Sequence, residues 1–205
     1  MTAIALIEDD AAILRSLQML LENRGMTVRC FRSAESFLTE LQQQPQDPPA
    51  CVVSDIRMPG MSGLDLLNEV QRTVPTLPVI LITGHGDIAM AVMAIKTGAF
   101  DFIEKPFDDE RLIASIGSAV ERGARERIRH SERAELEARV AELSPRQREV
   151  MQLVADGLST KEIALKLDIS PRTVENYRAW VMEKMGANNL AALVRKVVLL
   201  QERET

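Results

Sequence analysis

Cys51-Val52-Val53-Ser54-Asp55-Ile56-Arg57-Met58-Pro59-Gly60-Met61-Ser62-Gly63 is an apolar run that ends on a carboxylate and breaks into a Pro/Gly turn. Three other runs in the first half of the chain end on polar groups in the same way. Glu8-Asp9 follow Ala3–Ile7, Thr83 follows Pro78–Ile82, and Lys105 closes the run that begins at Phe100–Ile103. Thr27–Phe31 supplies a fifth run. Each is short and apolar on both faces, as strands of a covered parallel sheet are. The intervening stretches are amphipathic; Ile13, Leu17, Leu20 and Leu21 recur at helical spacing. Strands alternating with helices predict right-handed crossovers and a doubly wound α/β domain with a five-stranded parallel sheet. Ligands of such open sheets lie outside the carboxyl ends of the strands. Glu8, Asp9, Asp55, Thr83 and Lys105 are therefore expected to meet at one edge.

Carboxylates confined together repel one another, and their pKa values rise unless a cation neutralises them. Mg²⁺ suits hard oxygen donors and keeps several waters. The expected ligands are Asp9, Asp55 and the backbone carbonyl of Arg57, with Glu8 acting directly or through water. An aspartate beside Mg²⁺ can attack a phosphoryl group and form an aspartyl-phosphate. Lys105 would stabilise charge on the transferring oxygens, and the Thr83 hydroxyl would hydrogen-bond one of them.

Composition narrows the class. No apolar run approaches the roughly 18 residues of a membrane span, and the N-terminus shows no basic region or cleavage signature. Cys30 and Cys51 lie in apolar runs without metal-type spacing and are expected as reduced core residues of a cytoplasmic protein. His85 and His130 are too few for a metal cluster or a triad. The net charge of −5 is unevenly placed: residues 1–110 hold 8 Lys and Arg against 16 Asp and Glu, whereas residues 144–205 hold 10 against 8. An acidic front followed by a mildly basic rear permits nucleic-acid binding by the rear.

Residues 121–142 are rich in Arg, Glu and Ala with sparse large apolar residues, Ile128, Leu136 and Val140. They predict a helical linker, either a solvated spacer or a docking helix. Residues 143–205 predict four helices and no strand. Ser144-Pro145 with Gln147 opens the first, Ser159 or Thr160 the second, and Ser170-Pro171 the third; the fourth runs from about Asn189 to Gln201. A brief helix joined by a short turn to a longer one fits a helix-turn-helix whose second helix enters the major groove. That helix offers Arg172, Thr173, Glu175, Asn176, Tyr177, Arg178 and Lys184; Thr160 and Lys161 stand at the start of the helix before it. Thr160, Lys161, Arg172, Tyr177 and Lys184 are the expected phosphate contacts. Asn176 is suited to adenine and Glu175 to a cytosine amine.

Glu8-Asp9-Asp10, Asp55 through Gly63, Ile82-Thr83-Gly84-His85 and Glu104-Lys105-Pro106-Phe107 together resemble a response-regulator receiver domain over about residues 1–120. Leu143 through Val150, Gly157 through Ala164 and Ile169 through Glu175 resemble a LuxR-type DNA-binding domain over the rear. The first resemblance implies a flavodoxin-like fold, phosphorylation of Asp55 by a sensor histidine kinase, a cis bond at Lys105-Pro106, and a switch aromatic at Phe102, whose plain alternative is a core residue. Glu8 stands where an aspartate is commoner, and Glu175 and Ala179 where many LuxR-type relatives carry lysines. Val194, Val197 and Val198 match the region relatives use to dimerise, or else pack within the bundle. Ile82 through Asp87 with Phe102 through Phe107 look like the FixJ branch. That resemblance implies a transcriptional activator that works with RNA polymerase, dimerises on phosphorylation and controls nitrogen-fixation or microaerobic genes. Two rivals remain at this point. One is an Mg²⁺-dependent small-molecule phosphatase, which Arg57 disfavours by occupying the place of a second, acid-donating aspartate. The other is a signalling adaptor that binds no DNA.

Overall fold

The computed structural model describes residues 3–84 and 88–201. Its front part alternates strand and helix: β1 Ile4–Ile7, α1 Ala11–Asn23, β2 Val28–Phe31, α2 Ala34–Gln43, β3 Cys51–Asp55, α3 Gly63–Thr73, β4 Val79–Thr83, α4 Ile88–Lys96, β5 Asp101–Glu104 and α5 Asp109–Ala141. The rear part is helical: α6 Pro145–Ala155, α7 Thr160–Leu167, α8 Pro171–Lys184 and α9 Leu190–Gln201. The chain divides into two compact units at Arg127/Ile128.

The strands form one parallel sheet in the order β2-β1-β3-β4-β5. Alternation along β1 sends Ile4 and Leu6 to one face and Ala5 and Ile7 to the other, and each face has its own core. Leu14, Leu17 and Leu21 of α1 and Leu112, Ile116 and Ala119 of α5 cover the first face. Phe37 and Leu41 of α2, Leu66, Leu67 and Val70 of α3, and Ala94 of α4 cover the second. The buried central strands thus read as continuous apolar runs because both faces are covered. At the edge, β2 pairs only with β1, and Cys30 is exposed there, contrary to its expected place in the core. A strand with a neighbour on one side alone is covered less completely. Cys51, on central β3, is fully buried as expected.

The predicted helical stretch at 121–142 is helical through Ala141, but it continues α5 rather than forming a separate element. Within the first unit, Gly123 lies against Pro78, so the helix still packs on the front module there. Within the second unit, Leu136 and Val140 join the rear core, so the last turns of this helix dock rather than stand in solvent. Arg148 caps that end by donating to the carbonyls of Val140, Leu143 and Ala141, each at 3.1 Å.

In the rear unit Val150, Leu153, Val154, Ile163, Val174, Val181, Leu193 and Val197 share one core. Ser144 with Gln147 and Ser159 with Glu162 form capping boxes, and Ser170 caps α8 with Pro171 following it. Ser159 is the cap of α7, which leaves Thr160 as its first helical residue. Of the three valines on α9, Val197 is buried in the bundle, Val194 is half-buried and Val198 is exposed.

Candidate functional site

The chain order reverses between β1 and β3, which lie side by side in the sheet. Their carboxyl ends carry Glu8 and Asp55, so two carboxylates flank the crevice where α/β sheets bind ligands. Both are buried, at 4% and 8% exposure. Lys105 reaches between them from the end of β5. Its Nζ donates to Glu8 Oε2 at 2.9 Å and to Asp55 Oδ1 at 2.8 Å. The other Asp55 oxygen, Oδ2, accepts the backbone N–H of Arg57 at 2.7 Å. Residues 8, 55 and 105 therefore meet as the sequence predicts.

Burial raises the Glu8 pKa, and the neighbouring Asp55 charge adds to this, against the opposing pull of Lys105 and of the Asp10 backbone N–H. Burial also works against the Lys105 charge, but the hydrogen bonds to Asp55 and Glu8 outweigh it and hold the ammonium group above its ordinary range. The cluster thus holds its cation firmly and ionises Glu8 reluctantly.

The remaining predicted residues fall as follows. Thr83 is fully buried at the end of β4; the register pairs Asp55 with Ile82, so Thr83 lies one residue further along. Phe102 is half-buried on β5 and packs against the core that α2, α3 and α4 cover. Asp9 is half-buried, and its backbone carbonyl accepts from Arg32 at 3.1 Å; its carboxylate is not among the groups that Lys105 joins. Among the described residues no set of three acidic, His or Cys side chains gathers around one point. Mg²⁺ ordinarily takes one or two carboxylates and keeps several waters, so the buried oxygens of Glu8 and Asp55 fit that ion without a third. The cis bond at Lys105-Pro106 is present. His85, Gly86 and Asp87 lie outside the described residues.

Two supports escaped the sequence reading. Gly63 approaches the backbone of β3 so closely that a Cβ would collide with the Asp55 carbonyl oxygen. Glu35 at the start of α2 accepts the N–H of Met61 at 2.8 Å and so holds the loop after Asp55. The glycine carries a signal in its Ser62-Gly63 setting; Glu35 carries none, because its contact spans 26 residues.

In the rear unit, α8 buries Val174 and Val181, with Met185 buried at its C-cap, and exposes Arg172, Glu175, Asn176, Ala179 and Trp180 on the other side. Thr173 shares the N-cap of α8 with Ser170. Arg178 and Tyr177 are half-buried, Arg178 donating to Thr160 Oγ1 at 3.4 Å. Lys161 is exposed. Lys184 donates to the Glu142 carbonyl at 2.7 Å and so ties α8 to the end of α5. Trp180, 51% exposed, was not among the expected contact residues.

No helix among the described residues is long and apolar enough to cross a membrane. Residues 4–117 match the response regulator receiver domain family, and residues 141–197 match the luxR family of bacterial regulatory proteins. The chain is 48% identical to the transcriptional regulatory protein FixJ of Bradyrhizobium diazoefficiens, over 94% of this chain and 92% of that one. The fold is similar to the response regulator StyR, with TM-score 0.79 and 34% identity over 96% and 98% of the two chains. It is also similar to full-length FixJ from B. japonicum, with TM-score 0.58 and 46% identity over 98% and 97%. A doubly wound sheet with Lys105 bridging two buried carboxylates, followed by a helix-turn-helix, agrees with these likenesses: the chain belongs to the FixJ-type response regulators, transcriptional regulators built from a receiver domain and a LuxR-family domain.

Proposed function

We propose that Asp55 accepts a phosphoryl group from a sensor histidine kinase and that this drives dimerisation, duplex binding and activation of transcription through RNA polymerase. The observation that carries this reading is the Lys105 ammonium group shared by Glu8 and Asp55 at the sheet's switch point. An Asp55 oxygen attacks phosphorus, the P–N bond to the kinase imidazole breaks, and the imidazole nitrogen regains a proton. Glu8, Asp9, Asp55 and the Arg57 carbonyl would hold Mg²⁺, which when bound supplies charge stabilisation for the oxygens in transfer. Lys105 offsets the same charge from the β5 side. The new phosphoryl group adds roughly −1.5 to −2 charge. The Thr83 hydroxyl donates to it, and the space this vacates admits Phe102. Such a change biases a two-state surface on the face of α4 and α5.

The site is a phosphoacceptor with at most slow self-dephosphorylation. Thr160, Lys161, Arg172, Thr173, Glu175, Asn176, Tyr177, Arg178 and Lys184 are the proposed duplex contacts. Lys184, already engaged by the Glu142 carbonyl, would share its donors or release that bond. Likeness to FixJ supports control of nitrogen-fixation or microaerobic genes, in the cytoplasm. Incubation with acetyl phosphate and Mg²⁺ is expected to give a hydroxylamine-labile label on the wild-type protein, together with a larger particle in solution and tighter duplex binding. Asp55→Asn is expected to lose all three; undiminished labelling of that variant would overturn the assignment. Duplex affinity is expected to fall steeply with salt.

A further inference from the structure

We propose that Trp180 is a base-reading side chain of α8, its indole packing on thymine methyl groups in the major groove beside an adenine read by Asn176. This rests on the duplex-binding reading of the rear unit and deepens it. Trp180 is the chain's one tryptophan and is half exposed on a helix whose opposite side is buried in the core. Residues four apart on a helix lie on one row, so Arg172, Asn176 and Trp180 form a row, and all three are exposed. A helix lying in the major groove presents such a row to the bases. The indole is also braced: it meets the Tyr177 ring edge-to-face, with centroids 5.8 Å apart at 71°. Tyr177 in turn packs against the rear core. A held aromatic side chain loses little freedom on binding.

The chemistry of the same face narrows what it can read. Its neighbours Glu175, Ala179 and Glu183 supply no cation. Guanine recognition by a bidentate Arg or Lys is therefore left to Arg172, at the start of the row, and to Lys184, at its far end, where the ammonium group is held by the Glu142 carbonyl. Asn176 suits adenine, and an apolar side chain suits the thymine 5-methyl group. Four residues advance about 6 Å along a helix, against about 3.4 Å per base step. The adenine and the thymine methyl should therefore lie about two base pairs apart.

The test uses the full chain treated with acetyl phosphate and duplexes selected from a randomised pool. Because the protein has one tryptophan, its emission reports residue 180 alone. Emission is expected to change on binding a selected duplex. Replacing the thymine by uracil removes only the methyl group; it is expected to weaken the wild type about four-fold, the worth of one buried methyl. The same replacement should leave Trp180→Ala unaffected, while Trp180→Phe keeps part of the preference. Half exposure of the ring predicts that both variants fold, which circular dichroism checks; if Trp180→Ala does not, Trp180→Phe carries the comparison. Duplex binding with unchanged emission overturns the proposal, as does a uracil effect of equal size in wild type and variants. An emission change that requires RNA polymerase also overturns it, assigning the ring to a protein contact. Failure of the wild type to bind any duplex overturns the duplex-binding reading itself, and this proposal with it.

Discussion

Lys105, Glu8 and Asp55 show how a few side chains set the character of a site. One ammonium group satisfies two buried carboxylates at once, yet the Glu8 carboxyl remains shifted upward because burial outweighs what Lys105 returns. A carboxyl with a raised folded-state pKa binds its proton more readily folded than unfolded. The stability tied to the neutral form is full below the ordinary glutamate range and is lost as pH rises through the shifted value. In Mg²⁺-free buffer, Glu8→Gln is therefore expected to melt higher than the wild type at neutral pH, with the difference shrinking as the pH falls through the shifted value and gone below the ordinary glutamate range. Thermal melts across pH measure this; a difference that stays constant with pH would show that Glu8 titrates as it does in the unfolded chain. The residue types at this site were legible because each closes an apolar run. Glu35 was not, since its bond to Met61 depends on where α2 lies.

At the scale of the element, local chemistry was a sufficient guide wherever it was self-contained. Ser144-Pro145 and Ser170-Pro171 open helices as predicted, because a cap and a proline act through their immediate neighbours. Between Ser159 and Thr160 the choice needed the structure: Ser159 Oγ accepts from the Glu162 N–H, while the Glu162 carboxylate accepts the Ser159 N–H at 2.8 Å. Ser159→Ala is expected to destabilise the rear unit by about 1 kcal/mol, read as a lower urea midpoint with an unchanged slope. Thr160→Ala, which removes no cap, is expected to cost less. The exposure of Cys30 was only partly legible: Arg29 interrupts the apolar run of β2, but the edge position of that strand is a matter of sheet order.

The whole molecule is two units with separate cores, joined through a helix that contributes to both. A fragment spanning residues 128–205 keeps Leu136, only 5% exposed, and Val140 in the rear core. A fragment beginning at Leu143 loses both, together with two of the three carbonyls that Arg148 caps, those of Val140 and Ala141. The longer fragment is expected to be more stable by about 2–5 kcal/mol, the range for losing one large buried aliphatic side chain. Urea unfolding of the two fragments measures it; equal midpoints would show that the end of α5 adds nothing to the rear fold.

Periodicity and strand-end chemistry sufficed to read the order of strands and helices, the parallel sheet, and the placing of Asp55, Thr83 and Lys105 at or just past strand ends, because those signals repeat within a few residues of each position. Only the packed molecule decided that Lys105 binds Glu8 and Asp55 together, that α5 runs unbroken through residues 121–141, and that Trp180 faces outward beside Asn176. Those outcomes depend on which surfaces remain uncovered after distant segments have packed.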